Sequence, residues 1–432
     1  MHPIRYLPLL LALLGFNALA ADTPQATATR LLDRMDARDY AGAEAMFSPQ
    51  MKAAVPADKL KAVWESLPAQ LGAARGRGEP QISAQSQPRT VVVPLAYDKG
   101  TLLANIAIDG DGRIVGFLLQ PAPPPSAAPP AADAGFIEKD FAVPGGRGEL
   151  PGTLALPKGV APFPAVVLVH GSGPHDRDET IGPNRPFLDI ARGLAAQGIA
   201  VLRYEKRSKA RPQDFADGRF TMDDETTDDA VRAVAALAGA DGIDAARIYV
   251  LGHSQGGMLA PRIAARSGQV AGLILLAAPA RPLLTLLAEQ NQRLAGVDGE
   301  ISAAERAALD DLARKISNVR GTGEIAVADS PMGLPAHYWR EAEKIDAVAD
   351  ARNAALPLLV LQGGRDMQVV DADWTRWRQA FADDPRATLR RYPALNHLGI
   401  AGEGEPTLAE YQRPGHVDTV LIDDIAGWIN RR

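Results

Sequence analysis

Five short runs after residue 160, PAVVLVHG, IAVLRYEK, RIYVLGHS, AGLILLAAP and LPLLVLQGG, are continuously apolar and rich in β-branched or leucine side chains. Each is bounded by Gly, Pro or polar residues, and stretches of helical periodicity such as FLDIARGLAAQG and TTDDAVRAVAALAGA lie between them. An antiparallel strand with one wet face alternates apolar and polar residues, whereas a strand covered on both faces reads as an unbroken apolar run. Strands of the second kind alternating with helices specify an α/β architecture, a mostly parallel sheet with helices on both faces. Ligands of such sheets bind beyond the carboxyl ends of the strands, so residues that follow these runs are the first candidates for chemistry.

The rest of the 432-residue chain divides around PAPPPSAAPPAADAG, residues 121–135, whose Pro/Ala-rich, aperiodic composition predicts an extended spacer. Before it, TATRLLDRMDARDYAGAEAMF and DKLKAVWESLPAQLG have helical spacing, and RTVVVPLAYDKG, TLLANIAIDGDG and RIVGFLLQ read as strands with Gly/Asp turns. Helices followed by strands predict a small α+β domain over residues 21–120, with the larger domain over 136–432. Asp36, Asp39 and Glu44, on helical segments of the small domain, are expected to be solvated. Arg5, the apolar run LPLLLALLGFNALA and Ala18-Leu19-Ala20 form the pattern of a signal peptide over residues 1–20, cleaved after Ala20, and the run is shorter than the roughly 20 residues a spanning helix needs. The chain has no cysteine, which suits an oxidising compartment; a periplasmic or secreted protein without stable membrane insertion is expected. A net charge of -6 supplies no basic field, so nucleic acid is not an expected partner.

Within VLGHSQGGML, residues 250–259, Ser254 stands between Gly252 and Gly256, after a strand and before a helix expected to begin near Gly257. A nucleophile elbow needs small residues at those two places, because the turn brings backbone against them. Pro261, inside that helix, is expected to kink or locally open it. A serine hydroxyl needs a base and a group that orients the base. Of seven histidines, His2 falls in the signal segment, His253 is adjacent to the serine and expected to point elsewhere, His170 and His175 belong to a glycine loop, and His337 reads as a cap residue. His397, on the loop after ATLRRYP, read as the last strand, is the expected base, with His416 its rival. Asp366, after the LPLLVLQGG strand, is the expected acid, while Asp371 and Asp373 read as charges at the next helix start. The oxyanion donors expected are the backbone N–H groups of Gln255 and, from His170-Gly171-Ser172-Gly173, of Ser172, with Gly173 the alternative. His170 is expected to hold that loop.

These stretches, FPAVVLVHGSGPHDRDETIGPNRPF, IAVLRYEKRSKA, VLGHSQGGMLAPRIA, LILLAAPARPL and ALNHLGI, together resemble the α/β-hydrolase family, and within it the secreted bacterial serine aminopeptidase and feruloyl-esterase-like branches. The front domain, by element order, resembles the cone-shaped nuclear-transport-factor-like domains that precede some such hydrolases. The resemblance implies an α/β-hydrolase fold with a helical cap over about 282–356, a triad of Ser254, Asp366 and His397, no metal and no organic cofactor. Relatives usually have glycine after the Lys-Arg pair, where this chain has Ser208, which leaves that loop's shape open. Met332, Tyr338 and Trp339 of the cap are candidate pocket residues. The expected substrate is a small-molecule ester, with an amide as the alternative; an aminopeptidase would use acids such as Glu341, Glu343 or those at 176–179 to receive an ammonium. An inactive envelope-binding protein is the reading from another class.

Overall fold

The structure is a computed structural model that describes residues 23–82, 88–122, 128–297 and 299–432; the expected signal segment lies outside them. The chain divides into two compact units, 1–124 and 125–432, and the boundary falls inside the Pro/Ala-rich stretch.

In the first unit α1 (Pro24–Asp36), α2 (Tyr40–Ala45), α3 (Pro49–Ala54) and α4 (Ala57–Leu71) precede β1 (Ala74–Arg77), β2 (Gln81–Ile82), β3 (Arg89–Tyr97), β4 (Gly100–Ile108) and β5 (Ile114–Pro121). The pairings between these strands are antiparallel, in the order β1-β3-β4-β5 with β2 also on β3. Val91, Val93 and Leu95 of β3 and Ala104, Ile106 and Ile108 of β4 alternate inward onto Leu31, Leu32 and Met35 of α1. Two features differ from expectation. The first helical stretch breaks at Arg38, which adopts φ 59°, and restarts where the Asp39 side chain accepts the Gly42 N–H at 2.9 Å. The short polar strands β1 and β2 carry no apolar pattern to betray them. Asp36 and Asp39 are exposed, as expected, with Asp36 also paired to Arg77, while Glu44 is half-buried and accepts the Ala57 N–H.

The second unit is built on an eight-stranded sheet of β6 (Phe136–Asp140), β7 (Gly152–Pro157), β8 (Phe163–Val169), β9 (Ala200–Tyr204), β10 (Ile243–His253), β11 (Gly272–Leu276), β12 (Leu358–Gly363) and β13 (Ala387–Tyr392), in the order β13-β12-β11-β10-β8-β9-β7-β6. From β13 to β9 every neighbour is parallel, and β7 and β6 add an antiparallel edge. This is the α/β-hydrolase fold. The five apolar runs are five of the six parallel strands, β8 to β12; the sixth is β13. The edge hairpin went unread because short strands on the rim have no two-faced apolar signature.

Alternate residues of each strand enter different cores. Val167, Val250, Leu275 and Val360 face α7 (Asp228–Ala238) and α8 (Gln255–Ser267), while Leu168, Leu251, Ile274 and Leu361 face α5 (Pro186–Ala195) and α14 (Thr419–Asn430). Both sets are buried, which is the physical reason the runs are unbroken. Between β11 and β12 the chain leaves the sheet for the cap, α9 (Leu283–Ala295), α10 (Ala303–Arg320), α11 (Ala336–Ala342) and α12 (Ala347–Ala354). The cap is no loose appendage, since Leu284, Val319, Trp339 and Val348 join the same core as the sheet. Its start is tied down by Arg281, which pairs with Asp373 at 2.8 Å and with Glu289 at 2.7 Å.

Candidate active site

β10 ends at His253 and α8 begins at Gln255, so the turn consists of Ser254 alone. The serine adopts φ 51°, ψ -121°, backbone that side-chain-bearing residues avoid at a cost of order 1–3 kcal/mol. Its N–H donates to Leu276 O at 2.9 Å and its own carbonyl accepts the Met258 N–H at 3.1 Å, which hold the strained geometry from both sides. The flanking glycines follow from contact distances. A Cβ on Gly252 would lie 2.2 Å from Gly256 O, and one on Gly256 would lie 2.2 Å from Val169 O. Both obstacles are backbone that has nowhere to go. α8 starts two residues earlier than Gly257 because the elbow itself supplies the helix start, and of the kink or local opening expected at Pro261 the opening is not present, since the helix runs unbroken through it.

Asp366 and His397 meet after β12 and β13. His397 Nδ1 lies 2.8 Å from Asp366 Oδ2, with both side chains buried. The carboxylate is held by the Gln368 and Val369 N–H groups on Oδ1, at 2.8 and 2.9 Å, and by Gln362 Nε2 on Oδ2 at 3.1 Å. A carboxylate so placed accepts, so His397 carries its proton on Nδ1 and leaves Nε2 as the basic nitrogen. Ser254 and His397 line the same cavity.

The glycine loop after β8 lines that cavity too. The Ser172 N–H has no acceptor among the described residues, and neither has the Gln255 N–H, which opens a helix and so lacks an intrahelical partner. His170 is buried and makes a 3.0 Å hydrogen bond to Asp176 O; burial drives its pKa down to about 3, so it is a neutral brace of the loop. His175 braces the same loop through Ser172 O at 2.7 Å.

Sequence reasoning missed what lies beneath. His253 is not turned away from the site. Its Nε2 donates to His397 O at 2.9 Å, and its Nδ1 lies 2.9 Å from Glu179 Oε2, close as an ion pair though not aligned as a hydrogen bond. Glu179 is fully buried, and its other oxygen accepts the Gly171 N–H at 2.7 Å. Burial works against charge on His253, but Glu179 outweighs it and raises the pKa above 6.5. Burial likewise pushes Glu179 upward, and His253 pulls it down to about 2. The buried pair therefore ties the glycine loop after β8 to the backbone of His397. Nothing in the spacing of Glu179 and His253 announces it.

The remaining candidates sort plainly. His416, 88% exposed at its side chain, pairs with Asp189 and does not line the cavity; the cap of α14 is Asp418, not His416. His337 is exposed on α11. Asp371 and Asp373 do open α13 (Asp371–Phe381), but Asp373 is buried and also accepts the Ala280 N–H at 2.9 Å, which makes it the anchor of the cap. Ser208 lies in a short helical turn, α6 (Arg207–Ala210), so no glycine is required there. The cavity, about 650 Å³, is walled by Phe215, Phe220, Leu283, Leu286 and Leu287, and Met332, Tyr338 and Trp339 line it as well.

Residues 161–403, more than half of the chain, match the family described as serine aminopeptidase, S33. The chain belongs to the serine aminopeptidase S33 family. This S33 chain is 37% identical to Esterase EstD of Thermotoga maritima over 428 residues, 98% of each protein. Residues 28–117 of its first unit match a family described as protein of unknown function, DUF3887. Among solved structures it is similar to Est1E from Butyrivibrio proteoclasticus, at 17% identity and TM-score 0.44 over 68% of this chain and 99% of that one. It is also similar to the esterase domain of a Rhodothermus marinus protein, at 18% identity and TM-score 0.42 over 68% and 98%. By its family match and its full-length similarity to EstD, the S33 chain is a serine hydrolase.

Proposed function

We propose that this chain hydrolyses carboxylic esters with uncharged, largely apolar acyl groups through an acyl-enzyme on Ser254. The observation that carries the reading is the Asp366–His397 pair, held with Nε2 free, on the same apolar cavity as a serine strained onto a one-residue turn. Ser254 Oγ attacks the ester carbonyl as His397 Nε2 takes its proton. The carbonyl electron pair moves onto oxygen, where the Gln255 and Ser172 N–H groups receive it. Collapse expels the alkoxide, which takes the proton from His397, and water then repeats the sequence against the acyl-enzyme.

An ester is favoured over an aminopeptide by the charge of the cavity. An aminopeptidase needs a carboxylate free to receive an ammonium. Among the described residues that line the cavity the acids are Glu179 and Glu225, and both are compensated, by His253 at 2.9 Å and by Lys206 at 3.2 Å. Glu341 and Glu343 stand outside the lining, engaged with Lys344 and Arg320, and Asp178 pairs with Arg203. The full-length similarity to a curated esterase supports the same reading. Export is part of the proposal, supported by Arg5, the apolar run after it, Ala18-Leu19-Ala20 and the lack of cysteine.

The test sets p-nitrophenyl acyl esters against aminoacyl p-nitroanilides, with fluorophosphonate labelling alongside. Ester turnover and labelling that both vanish in Ser254→Ala are expected. A preference for anilides overturns the ester assignment, and labelling that survives Ser254→Ala overturns the nucleophile.

A further inference from the structure

Lys206 follows β9 and is almost completely buried, which is costly for an ammonium unless every donor is matched. Three acceptors surround its Nζ: Gly171 O at 2.8 Å, Glu225 Oε1 at 3.2 Å and Gln255 Oε1 at 3.4 Å. Two of them belong to the groups assigned above to the oxyanion. Gly171 C=O is the far end of the peptide whose N–H is that of Ser172, and the Gln255 side chain sits on the residue that supplies the other N–H. In a planar trans peptide the C=O and N–H point in opposite directions, so drawing Gly171 O onto Nζ aims the Ser172 N–H away from Lys206. A cation on the carbonyl oxygen also polarises that N–H and strengthens it as a donor.

The other members close a ring. Gln255 Nε2 donates to Tyr338 Oη at 3.1 Å, Tyr338 Oη donates to Glu225 Oε2 at 2.7 Å, and Ser208 Oγ donates to Glu225 Oε1 at 3.3 Å. Tyr338 stands on cap helix α11, so the seat of the cap is written into the same network. Glu225 balances the charge of Lys206 and leaves the ring neutral overall. For stability alone, an apolar side chain would serve as well as a buried ion pair.

We propose that Lys206, held by Glu225 and Tyr338, is the positioning residue of the oxyanion hole, orienting and polarising the Gly171–Ser172 peptide while fixing Gln255. This rests on the ester-hydrolase reading and on Ser254 as nucleophile. It touches no substrate atom; it acts through two amides that do.

The test uses the full-length protein and the charge-neutral double variant Lys206→Met/Glu225→Gln. It reads kcat and KM on a p-nitrophenyl acyl ester and the affinity for an alkyl boronic acid, whose tetrahedral adduct on the serine places an oxygen in the hole. Loss of one oxyanion donor costs about 10²–10³ in kcat, so a fall of about 10² in kcat is expected, matched by boronate affinity, with KM and the affinity for the product acid nearly unchanged. A merely structural role would not move kcat and boronate affinity together while sparing product affinity. A folded double variant with wild-type kcat and boronate affinity overturns the proposal. If that variant does not fold, Lys206→Gln/Glu225→Gln, which keeps a polar pair of similar shape, carries the decision: a joint loss of about tenfold supports it, and unchanged values overturn it. Ser254→Ala run in parallel separates the two claims. Activity surviving there removes the underlying reading, whereas an inactive Ser254→Ala beside fully active Lys206 variants removes the Lys206 role alone.

Discussion

Replacing Glu179 with Gln tests the buried pair beneath the site with almost no change of shape. A glutamine can still accept the Gly171 N–H, so the substitution removes mainly the charge facing His253. The fall of the Glu179 pKa from 4.5 to about 2 corresponds to about 3 kcal/mol of folding stability, in line with the 3–5 kcal/mol lost when one partner of a buried pair is removed. The pH dependence has two arms. Glu179 is held below its unfolded value, so its contribution is complete above pH 4.5 and is lost as pH falls toward 2. His253 is raised, so its contribution is complete below pH 6.5 and is lost as pH climbs through the raised value. The stability difference between wild type and variant should therefore be widest between about pH 4.5 and 6.5 and narrow on either side. Burial lowers His170, to about 3, and His175, and the Glu179 charge opposes both shifts, so the variant lowers these two histidines further and their share of the difference falls on the acid side of His253. Guanidinium denaturation followed by residual ester turnover reports on the hydrolase unit alone. A difference below about 1 kcal/mol at pH 5.5, or one flat from pH 4 to 9, would refute the charge pairing of Glu179 and His253.

Four further outcomes are expected. Asp366→Asn should lower kcat by about 10⁴ while leaving KM within a few-fold, because the amide favours the wrong His397 tautomer; steady-state kinetics on an acyl ester checks it. His416→Gln should leave kcat and KM unchanged in the same assay, since that imidazole is exposed and meets Asp189 away from the cavity. Gly256→Ala should cost on the order of 3 kcal/mol in denaturation and most of the activity, because its Cβ would meet Val169 O at 2.2 Å. N-terminal sequencing of protein recovered from the envelope or medium of an expressing bacterium should begin at Ala21; an intact Met1 in that fraction would contradict the signal peptide.

What the sequence determined by itself follows from requirements that are local. A strand buried on both faces must be apolar at every position, so the five runs disclosed the parallel sheet before any pairing was known. An elbow with backbone 2.2 Å from two Cβ positions must have glycine at both, so Gly252 and Gly256 marked Ser254. Asp366 and His397 could be chosen because the sheet delivers loop residues to one edge, and the chain offers few histidines. The edge strand β6, the brief strands β1 and β2 and the early start of α8 escaped because none is marked by an apolar pattern, and β7 escaped because its apolar run is only Leu154-Ala155-Leu156 between Gly152-Thr153 and Pro157.

Only the tertiary structure decided what the charged residues do. From sequence alone an acid or a lysine reads as solvated, and that default holds wherever water can reach. Folding removed the water from Glu179, Asp373, Lys206 and Glu225, and in a medium of low dielectric each then had to find a partner from a distant part of the chain: His253, Arg281, Gly171 O and Tyr338. Burial is a property of the assembled unit and not of any segment. The candidate reactive groups could therefore be named from the sequence, while the groups that hold them in place could not.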